Sequence, residues 1–167
     1  MPVPSKSVDK EILAILEENA RISLPEIAFM LNMDVEEVAR RVRELEERKV
    51  ITGYLTLVNW EKVGEERVCA FIEVRTQPQR DVGYDAVAER ISRFSEVRSV
   101  RLMSGAYDLA VIVEGRNMRE VSNFVATRLA TIEGVVSTTT HFVLKTYKQD
   151  GVIFENEEED RRLVISP

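Results

Sequence analysis

The feature that most restricts the fold is a change in the spacing of apolar residues at Val68. Over the first 50 residues, apolar side chains recur every three or four positions, which is typical of amphipathic helices. After Val68, strand-like apolar runs alternate with helical stretches. The 167 residues are therefore expected to form two small domains, a helical one followed by a mixed αβ one.

The first segment is predicted to form three helices. In VDKEILAILEEN, Ser7 is a candidate cap, and one face is formed by Val8, Ile12, Ile15 and Leu16. In SLPEIAFMLN, Ser23 and Glu26 have capping-box spacing, Pro25 lies in the first turn and Asn32 ends the helix. The third helix begins at Asp34, with Glu37 again at capping-box spacing, and its buried stripe is Val38, Val42 and Leu45.

Only Asn32 and Met33 separate the second and third predicted helices. A connection this short is typical of a helix-turn-helix, although the same corner also occurs in proteins that do not bind DNA. Directly afterwards, VITGYLTLVNW alternates apolar and polar residues around Gly53. That alternation predicts a strand or hairpin, as in a winged helix-turn-helix.

The second segment is predicted to follow the order βαββαβ, the split arrangement of ferredoxin-like domains. In order, the elements are VCAFIEVRT, the helix DVGYDAVAERISRF, the strands VRSVRLMS and YDLAVIVEG joined at residues 105–106, the helix NMREVSNFVATRLATI and the strand VVSTTTHFVLKTYK. The last helix is expected to cover one sheet face with Met118, Val121, Phe124, Val125 and Leu129. The other face also carries apolar residues, so we expect two chains to dimerise through it.

Composition narrows the class of protein. The chain is 44% hydrophobic with few glycines and prolines, as in globular proteins. It contains no apolar run of membrane-spanning length and no signal-peptide pattern, so we expect a cytoplasmic protein without a membrane partner. Cys69 and His141 are the single cysteine and histidine, so we expect no metal, no cofactor and no catalytic residue.

The net negative charge is concentrated in the first and last segments. Residues 1–60 carry 8 Lys/Arg against 11 Asp/Glu, residues 61–148 carry 13 against 12, and residues 149–167 carry 2 against 6. A DNA-binding domain usually has a basic surface, and none of these segments has a large positive excess. An interpretation as a DNA-binding protein therefore depends on the local arrangement of arginines.

The chain resembles the Lrp/AsnC family, the leucine-responsive or feast/famine transcriptional regulators. The resemblance runs over residues 9–148, through the blocks DKEILAILEENARIS, RRVRELEERKVITGY, SGAYDLAVIV and GVVSTTTHFVLK. It implies an α+β protein with a winged helix-turn-helix DNA-binding domain and linker strand at residues 1–60. A ferredoxin-like, RAM-type effector-binding and oligomerisation domain would follow at residues 61–148, and an acidic tail at residues 149–167.

The resemblance also implies partners. It implies homodimers that assemble into octamers or similar particles, double-stranded DNA, and an amino acid or related metabolite as effector. An effector that binds between dimers would favour one assembly over another, which requires different affinities for the two assemblies.

The third predicted helix carries the candidate DNA contacts. The N-terminal half of a recognition helix enters the major groove, where arginine binds guanine or phosphate and glutamate accepts from cytosine. The candidates are Glu36, Glu37, Arg40, Arg41 and Arg43. Alternatively, these charges form i,i+4 pairs such as Glu36–Arg40 and Glu44–Arg48 on a solvated face. The acidic start of the helix also departs from the small or hydroxylated residues more usual in the family.

The candidate effector site is the stretch SGAYDL, which matches the family's Gly-x-x-Asp turn. Its exposed amides are expected to hold a carboxylate, and the Asp108 side chain to pair with an ammonium group. By resemblance the site lies at contacts between dimers, and its residues are Ser104, Gly105, Ala106, Tyr107, Asp108, Thr138 and Thr140. The alternative is a plain hairpin turn in which Asp108 caps backbone N–H groups.

The C-terminal tail combines acidic and apolar residues. Residues 157–160 form an acidic cluster between the apolar groups at 152–154 and 163–165. We expect strand-like pieces that pack on a neighbouring subunit, with an acidic arm that competes with DNA as the alternative.

A small enzyme of the same fold lacks support in the motifs, whereas a ligand-binding or protein-interaction module with little DNA binding remains an alternative.

Overall fold

The computed structural model describes residues 5–77 and 83–154, which divide into two compact units between Val58 and Asn59. The helical unit contains α1 (Ser5–Glu18), α2 (Leu24–Leu31) and α3 (Val35–Glu47). The sheet unit begins with a short 3₁₀ turn (Glu61–Val63). Its further elements are β1 (Val68–Thr76), α4 (Asp85–Ser92), β2 (Val97–Leu102), β3 (Leu109–Gly115), α5 (Met118–Phe124), β4 (Val135–Phe142), β5 (Lys148–Gln149) and β6 (Val152–Ile153).

The caps of α2 confirm the prediction, whereas those of α1 and α3 correct it. Glu26 Oε2 accepts from the Ser23 N–H at 2.9 Å and the Ser23 hydroxyl accepts from the Glu26 N–H at 3.4 Å, which is a capping box. Asn32 ends α2 in the left-handed conformation, with φ 50°. Helix α1 begins at Ser5, so Ser7 lies inside it. Asp34 caps α3 by accepting from the Glu36 N–H at 2.7 Å. The predicted reciprocal bond, in which Glu37 would accept from the Asp34 N–H, is not formed because Glu37 accepts from Arg40 and Arg41 instead.

The core of the helical unit contains the stripes predicted for the first and third helices, and it adds Ile27 and Ala28 of α2, which were not predicted. Its buried members come from all three helices: Ile12, Ile27, Ala28, Val38 and Val42. Leu45 is also buried, and Val8, Ile15 and Leu16 pack around the cluster. Burying these side chains offsets the conformational cost of ordering three short helices.

The predicted wing strand is wrong for this chain. Residues 50–59 contain no helix or strand and form no ladder with the described residues. Ile51 packs on the helical core, whereas Leu55 is 91% exposed. A strand is stabilised by hydrogen bonds to a neighbouring strand, and the described residues of this chain provide none for this segment. The described unit is therefore a helix-turn-helix without a β wing.

The sheet unit has the predicted ferredoxin-like arrangement. Its four main strands are antiparallel in the order β2-β3-β1-β4, with α4 and α5 packed on one face. The buried residues between sheet and helices include Ile72, Val74, Leu109, Val111, Val113, Val87, Ile91, Val121, Phe124 and Leu129. These side chains alternate along β1 and β3, as expected for strands that bury one face.

Several boundaries differ from the predictions. β4 ends at Phe142, opposite Ala70 of β1, which is earlier than predicted; one more bond follows, from the Val143 N–H to the Cys69 carbonyl at 2.9 Å. Beyond it, β5 and β6 form a separate hairpin over residues 148–153, at the start of the predicted tail. Helix α5 continues as one π-helical turn (Val125–Leu129). Met118, the first residue of α5, is 55% exposed and does not cover the sheet as predicted. The acidic cluster and last apolar group of the tail lie outside the described residues.

Gly115 is predicted to be intolerant of a side chain. A Cβ at this position would lie 2.9 Å from Cγ2 of Val121, a stiff, buried neighbour. Gly115→Ala should therefore lower the free energy of unfolding by about 1–3 kcal/mol, the usual cost of overpacking. Thermal unfolding measures the change. Gly53→Ala is the control, since a Cβ there meets no atom within 4 Å; equal stability of the two variants would contradict the prediction.

Among the described residues, no helix has both the length and the apolar character that crossing a bilayer requires.

Candidate functional sites

Arg40 on the exposed face of α3 is held by two glutamates. Its Nε and Nη2 donate to the two carboxylate oxygens of Glu37 at 3.0 and 2.7 Å, and its Nη1 donates to Glu44. These hydrogen bonds raise the pKa of Arg40 above its ordinary value and lower the pKa of Glu37 below its ordinary value. We call this group, Glu37, Arg40 and Glu44, the Arg40 clamp. About half of the Arg40 and Glu44 side chains is exposed, so solvent screens the clamp.

Arg41 points along the flank of α3 toward α1 and does not share the exposed face. Its Nη1 donates to Asp9 at 2.8 Å and its Nε to Glu37 at 2.7 Å, and its side chain is only 16% exposed. The bond to Asp9 is the main reason that the pKa of Arg41 is raised. Of the five candidate DNA contacts, this arginine is therefore the one that the structure assigns to holding α3 against α1.

Arg41→Ala is expected to lower the free energy of unfolding of the helical unit by about 1–2 kcal/mol, between the values for exposed and buried ion pairs. Hydrogen exchange of the α3 amides reports this loss directly. Arg43→Ala is the matched control because it removes the same charge from an exposed position on the same helix. If Arg41→Ala left exchange as slow as in the control, the proposed bracing of α3 would be wrong.

Arg43 is the exposed α3 arginine that is free of ion pairs with the described residues. It lies one turn after Arg40 on the same side of the helix. Arg48 and Lys49 follow at the end of α3, and they too are exposed and without ion pairs in the described part of the chain. Sequence reasoning did not include these two cations among the candidate DNA contacts, because it paired Arg48 with Glu44 and left Lys49 out.

The alternative of ion pairs along α3 is correct in kind and wrong in its partners. Glu36 is exposed and the named pair Glu36–Arg40 is absent from the described contacts, as is Glu44–Arg48. Arg40 takes the partners three residues before and four after it. The surface thus combines a closed ion cluster with free cations at Arg43 and beyond.

The candidate effector turn connects β2 to β3. Met103 N–H donates to the Asp108 carbonyl at 2.8 Å, which closes a loop over Ser104, Gly105, Ala106 and Tyr107. Gly105 has φ 156°, a conformation that side-chain-bearing residues rarely adopt. The N–H groups of these four loop residues form no hydrogen bond with the described residues, so they are available to an anionic group.

Asp108 anchors this turn to the end of β1. Its Oδ2 accepts from the Thr76 N–H at 2.7 Å, and its own N–H donates to the Val74 carbonyl at 3.0 Å. The Asp108 side chain thereby accepts from the Thr76 N–H just beyond Val74 and Leu109, where the β1–β3 ladder ends. This is the capping role named as the alternative, and it occupies one of the two carboxylate oxygens.

The structure adds Thr76 to this site and separates the two β4 threonines from the turn. Thr76 is buried, and its hydroxyl has no hydrogen-bond partner among the described residues. Thr138 pairs with Val74 in the ladder row next to the turn, whereas Thr140 pairs with Ile72, two rows farther away. Both β4 side chains share the face covered by the helices, two strands from β3.

The sheet face opposite α4 and α5 carries a continuous row across all four strands: Ser99, Ile112, Phe71 and His141. Phe71 packs edge to face on Tyr107 and against the His141 ring, and His141 lies 3.3 Å from Glu73. We call this surface, with Cys69 and Ala110 beside it, the open sheet face. It is an apolar centre with a polar rim, the composition of a protein interface. No cluster of candidate metal ligands occurs among the described residues.

Two sequence profiles match the two units. The AsnC-type helix-turn-helix domain matches residues 7–46, which contain α1, α2 and most of α3. The Lrp/AsnC ligand binding domain matches residues 69–153, which extend from β1 to the β5–β6 hairpin. The match identifies the helical unit as a DNA-binding motif and the sheet unit as a ligand-binding domain.

Curated relatives match along most of the chain. The HTH-type transcriptional regulator YugG of Bacillus subtilis is 51% identical over 160 residues, which cover 95% of this chain and 96% of the relative. The HTH-type transcriptional regulator FL11 of Pyrococcus horikoshii is 31% identical over 89% of this chain and 95% of its own. The relatives are regulators of transcription, so the enzyme alternative is set aside.

Solved structures extend the likeness to the fold. A transcriptional regulator from Neisseria meningitidis in complex with L-Met has a TM-score of 0.68 and 26% identity, covering 89% of this chain and 94% of that chain. The leucine response regulatory protein LrpA of Mycobacterium tuberculosis has a TM-score of 0.72 and 27% identity, covering 86% of this chain and 94% of its own. Profiles, relatives and fold agree: this chain belongs to the Lrp/AsnC family of transcriptional regulators.

Proposed function

We propose that this transcriptional regulator binds specific DNA sequences through α3 and changes its oligomeric assembly when an amino acid or related small metabolite binds the sheet unit. The observation that carries the DNA-binding part is the free, exposed Arg43 on the helix after the helix-turn-helix corner, with two more free cations following it. Such cations bind phosphates at every sequence, and base contacts add the specificity. A regulator of this kind would act in the cytoplasm, where the DNA is.

The effector part is supported by the turn between β2 and β3. Free loop amides suit a carboxylate, and the second oxygen of Asp108 suits an ammonium group. A carboxylate and an ammonium group occur together in every free amino acid. The relative from Neisseria meningitidis was solved with L-Met, which supports the same chemical class for this chain.

The assembly part is supported by the open sheet face. A row from Ile112 to Phe71 leaves apolar side chains on a surface without helices, and a second copy of the chain is the occupant that a homo-oligomer provides. We propose that dimers form through this face and that dimers associate further into octamers or similar particles. An effector between dimers then changes the spacing of the helix-turn-helix units.

Selection of bound duplexes from a random pool tests the DNA-binding part. We expect the protein to enrich a motif of two related half-sites, as a two-fold symmetric dimer requires. Arg43→Ala should enrich the same motif but require more protein, because loss of a phosphate contact weakens binding to all sequences alike. A pool that stays random after repeated rounds would contradict sequence-specific binding.

One observation favours a second function, that of a ligand-binding or protein-interaction module with little DNA binding. Helix α3 carries five glutamates against three arginines, and one of these arginines is bound to α1. In that case the random pool would give no motif, while the amino-acid effector would still bind.

A further inference from the structure

The Arg40 clamp occupies the edge of Arg40 that would contact DNA. An arginine has five N–H donors, and the pair formed by Nε and one Nη matches the two acceptors of a carboxylate, a phosphate or a guanine edge. In Arg40 that pair is bound to Glu37, and the other terminal nitrogen is bound to Glu44. Both glutamates lie on α3 itself, so helix geometry keeps them beside the arginine before DNA arrives.

Electrostatics at the clamp disfavours phosphate. Glu37 also accepts from Arg41, which is bound to Asp9, so the linked group has three carboxylates against two guanidiniums and a net negative charge. A phosphate gains Arg40 only by displacing a carboxylate of the same charge. Attraction of the DNA backbone is therefore left to Arg43, Arg48 and Lys49.

We propose that Glu37 and Glu44 withhold Arg40 from DNA phosphates and thereby raise the sequence selectivity of the recognition helix. Phosphates are present at every site, so an arginine free to bind them strengthens binding to all sequences alike. A base contact occurs only at the correct sequence, where Arg40 donates to guanine and a released carboxylate accepts from the N4 amino group of cytosine. This inference rests on the DNA-binding function proposed above.

Glu44→Gln tests the inference because it removes the carboxylate that holds Nη1 of Arg40. The contacts of Glu37 with Arg40 and Arg41 stay intact. Fluorescence anisotropy is measured at several salt concentrations with two duplexes, one selected by the wild-type protein and one of scrambled sequence. If selection returns no motif, a duplex from upstream of the protein's own gene replaces the selected one. Affinity for the scrambled duplex should rise about fivefold, the effect of one unit charge at about 4 Å in water. The rise for the selected duplex should be smaller, and the salt dependence should steepen by about 0.9, which is one additional phosphate contact.

Two further variants separate release of Arg40 from a general change in charge. Glu47→Gln removes the same charge from the same exposed side of α3, and Glu47 has no ion pair with the described residues. It should leave the salt slope unchanged. Adding Arg40→Ala to Glu44→Gln should abolish the gain for the scrambled duplex. Circular dichroism verifies that each variant is folded.

The outcomes distinguish this inference from the function on which it rests. The inference is wrong, and DNA binding stands, if the wild-type protein binds DNA and Glu44→Gln has the wild-type affinity for both duplexes. The same conclusion follows if Glu47→Gln steepens the salt dependence as much as Glu44→Gln does. If only the opened variant binds DNA, the withholding role is supported. If neither binds any duplex at low salt, both proposals are wrong.

Discussion

Replacement of Ile112 by aspartate is expected to convert the proposed dimer into single chains. Ile112 lies opposite Phe71 in the centre of the open sheet face, with Ser99 on its other side. A two-fold interface contains each substitution twice, so one mutation places two unpaired carboxylates against apolar surface. Desolvation of those charges should cost about 4 kcal/mol, which weakens dimerisation roughly a thousandfold.

Size-exclusion chromatography with light scattering measures the effect as a change in mass. Ser122→Asp is the control because it places the same charge on exposed α5, on the opposite side of the sheet. The control should keep the mass of the wild-type protein, and circular dichroism should be the same for all three proteins. An Ile112→Asp protein with wild-type mass would show that the open sheet face is not the dimer interface.

Asp108→Asn is expected to abolish the response to the effector while leaving the fold intact. The amide oxygen of asparagine still accepts from the Thr76 N–H, so the turn stays anchored. The charge that pairs with an ammonium group is lost, and affinity should fall at least about tenfold, the usual scale for a charged hydrogen bond. Calorimetric titration with L-methionine and the other standard amino acids measures it.

Asp108→Ala separates the structural role of this side chain from its proposed contact with the effector. It removes the acceptor for Thr76 N–H altogether, so the sheet unit should lose about 2 kcal/mol of stability as well as effector affinity. Asp108→Asn should lose only the affinity. An asparagine variant that binds the effector as tightly as the wild-type protein would restrict Asp108 to its capping role, and a wild-type protein that binds no amino acid would contradict the proposed effector class.

Local patterns predicted what depends on local geometry. The buried stripe Val38, Val42 and Leu45 follows from helical periodicity, and the capping box at Ser23 from a spacing of three residues. The βαββαβ order follows from the alternation of short apolar runs with helical ones. In each case the interacting residues are neighbours in sequence, so few alternatives compete.

The remaining features depend on choices that a single sequence leaves open. Arg40 has glutamates three and four residues before it and four after it, and side-chain orientation selects Glu37 and Glu44 over Glu36. The bond between Asp108 and Thr76 joins residues 32 apart and depends on the register of β1 against β3. The wing prediction failed for a similar reason, because alternation of apolar residues indicates a strand without providing its partner.

The central claim is that the exposed face of α3 binds DNA. The most direct test is fluorescence anisotropy of a selected duplex, measured at several salt concentrations with the wild-type protein and with Arg43→Ala. If selection returns no motif, a duplex from upstream of the protein's own gene replaces the selected one. The account predicts saturable binding that weakens steeply with salt, and a loss in Arg43→Ala of about one phosphate contact, seen as a slope smaller by about 0.9. Absence of saturable wild-type binding at low salt, or identical titrations for the two proteins, would contradict it.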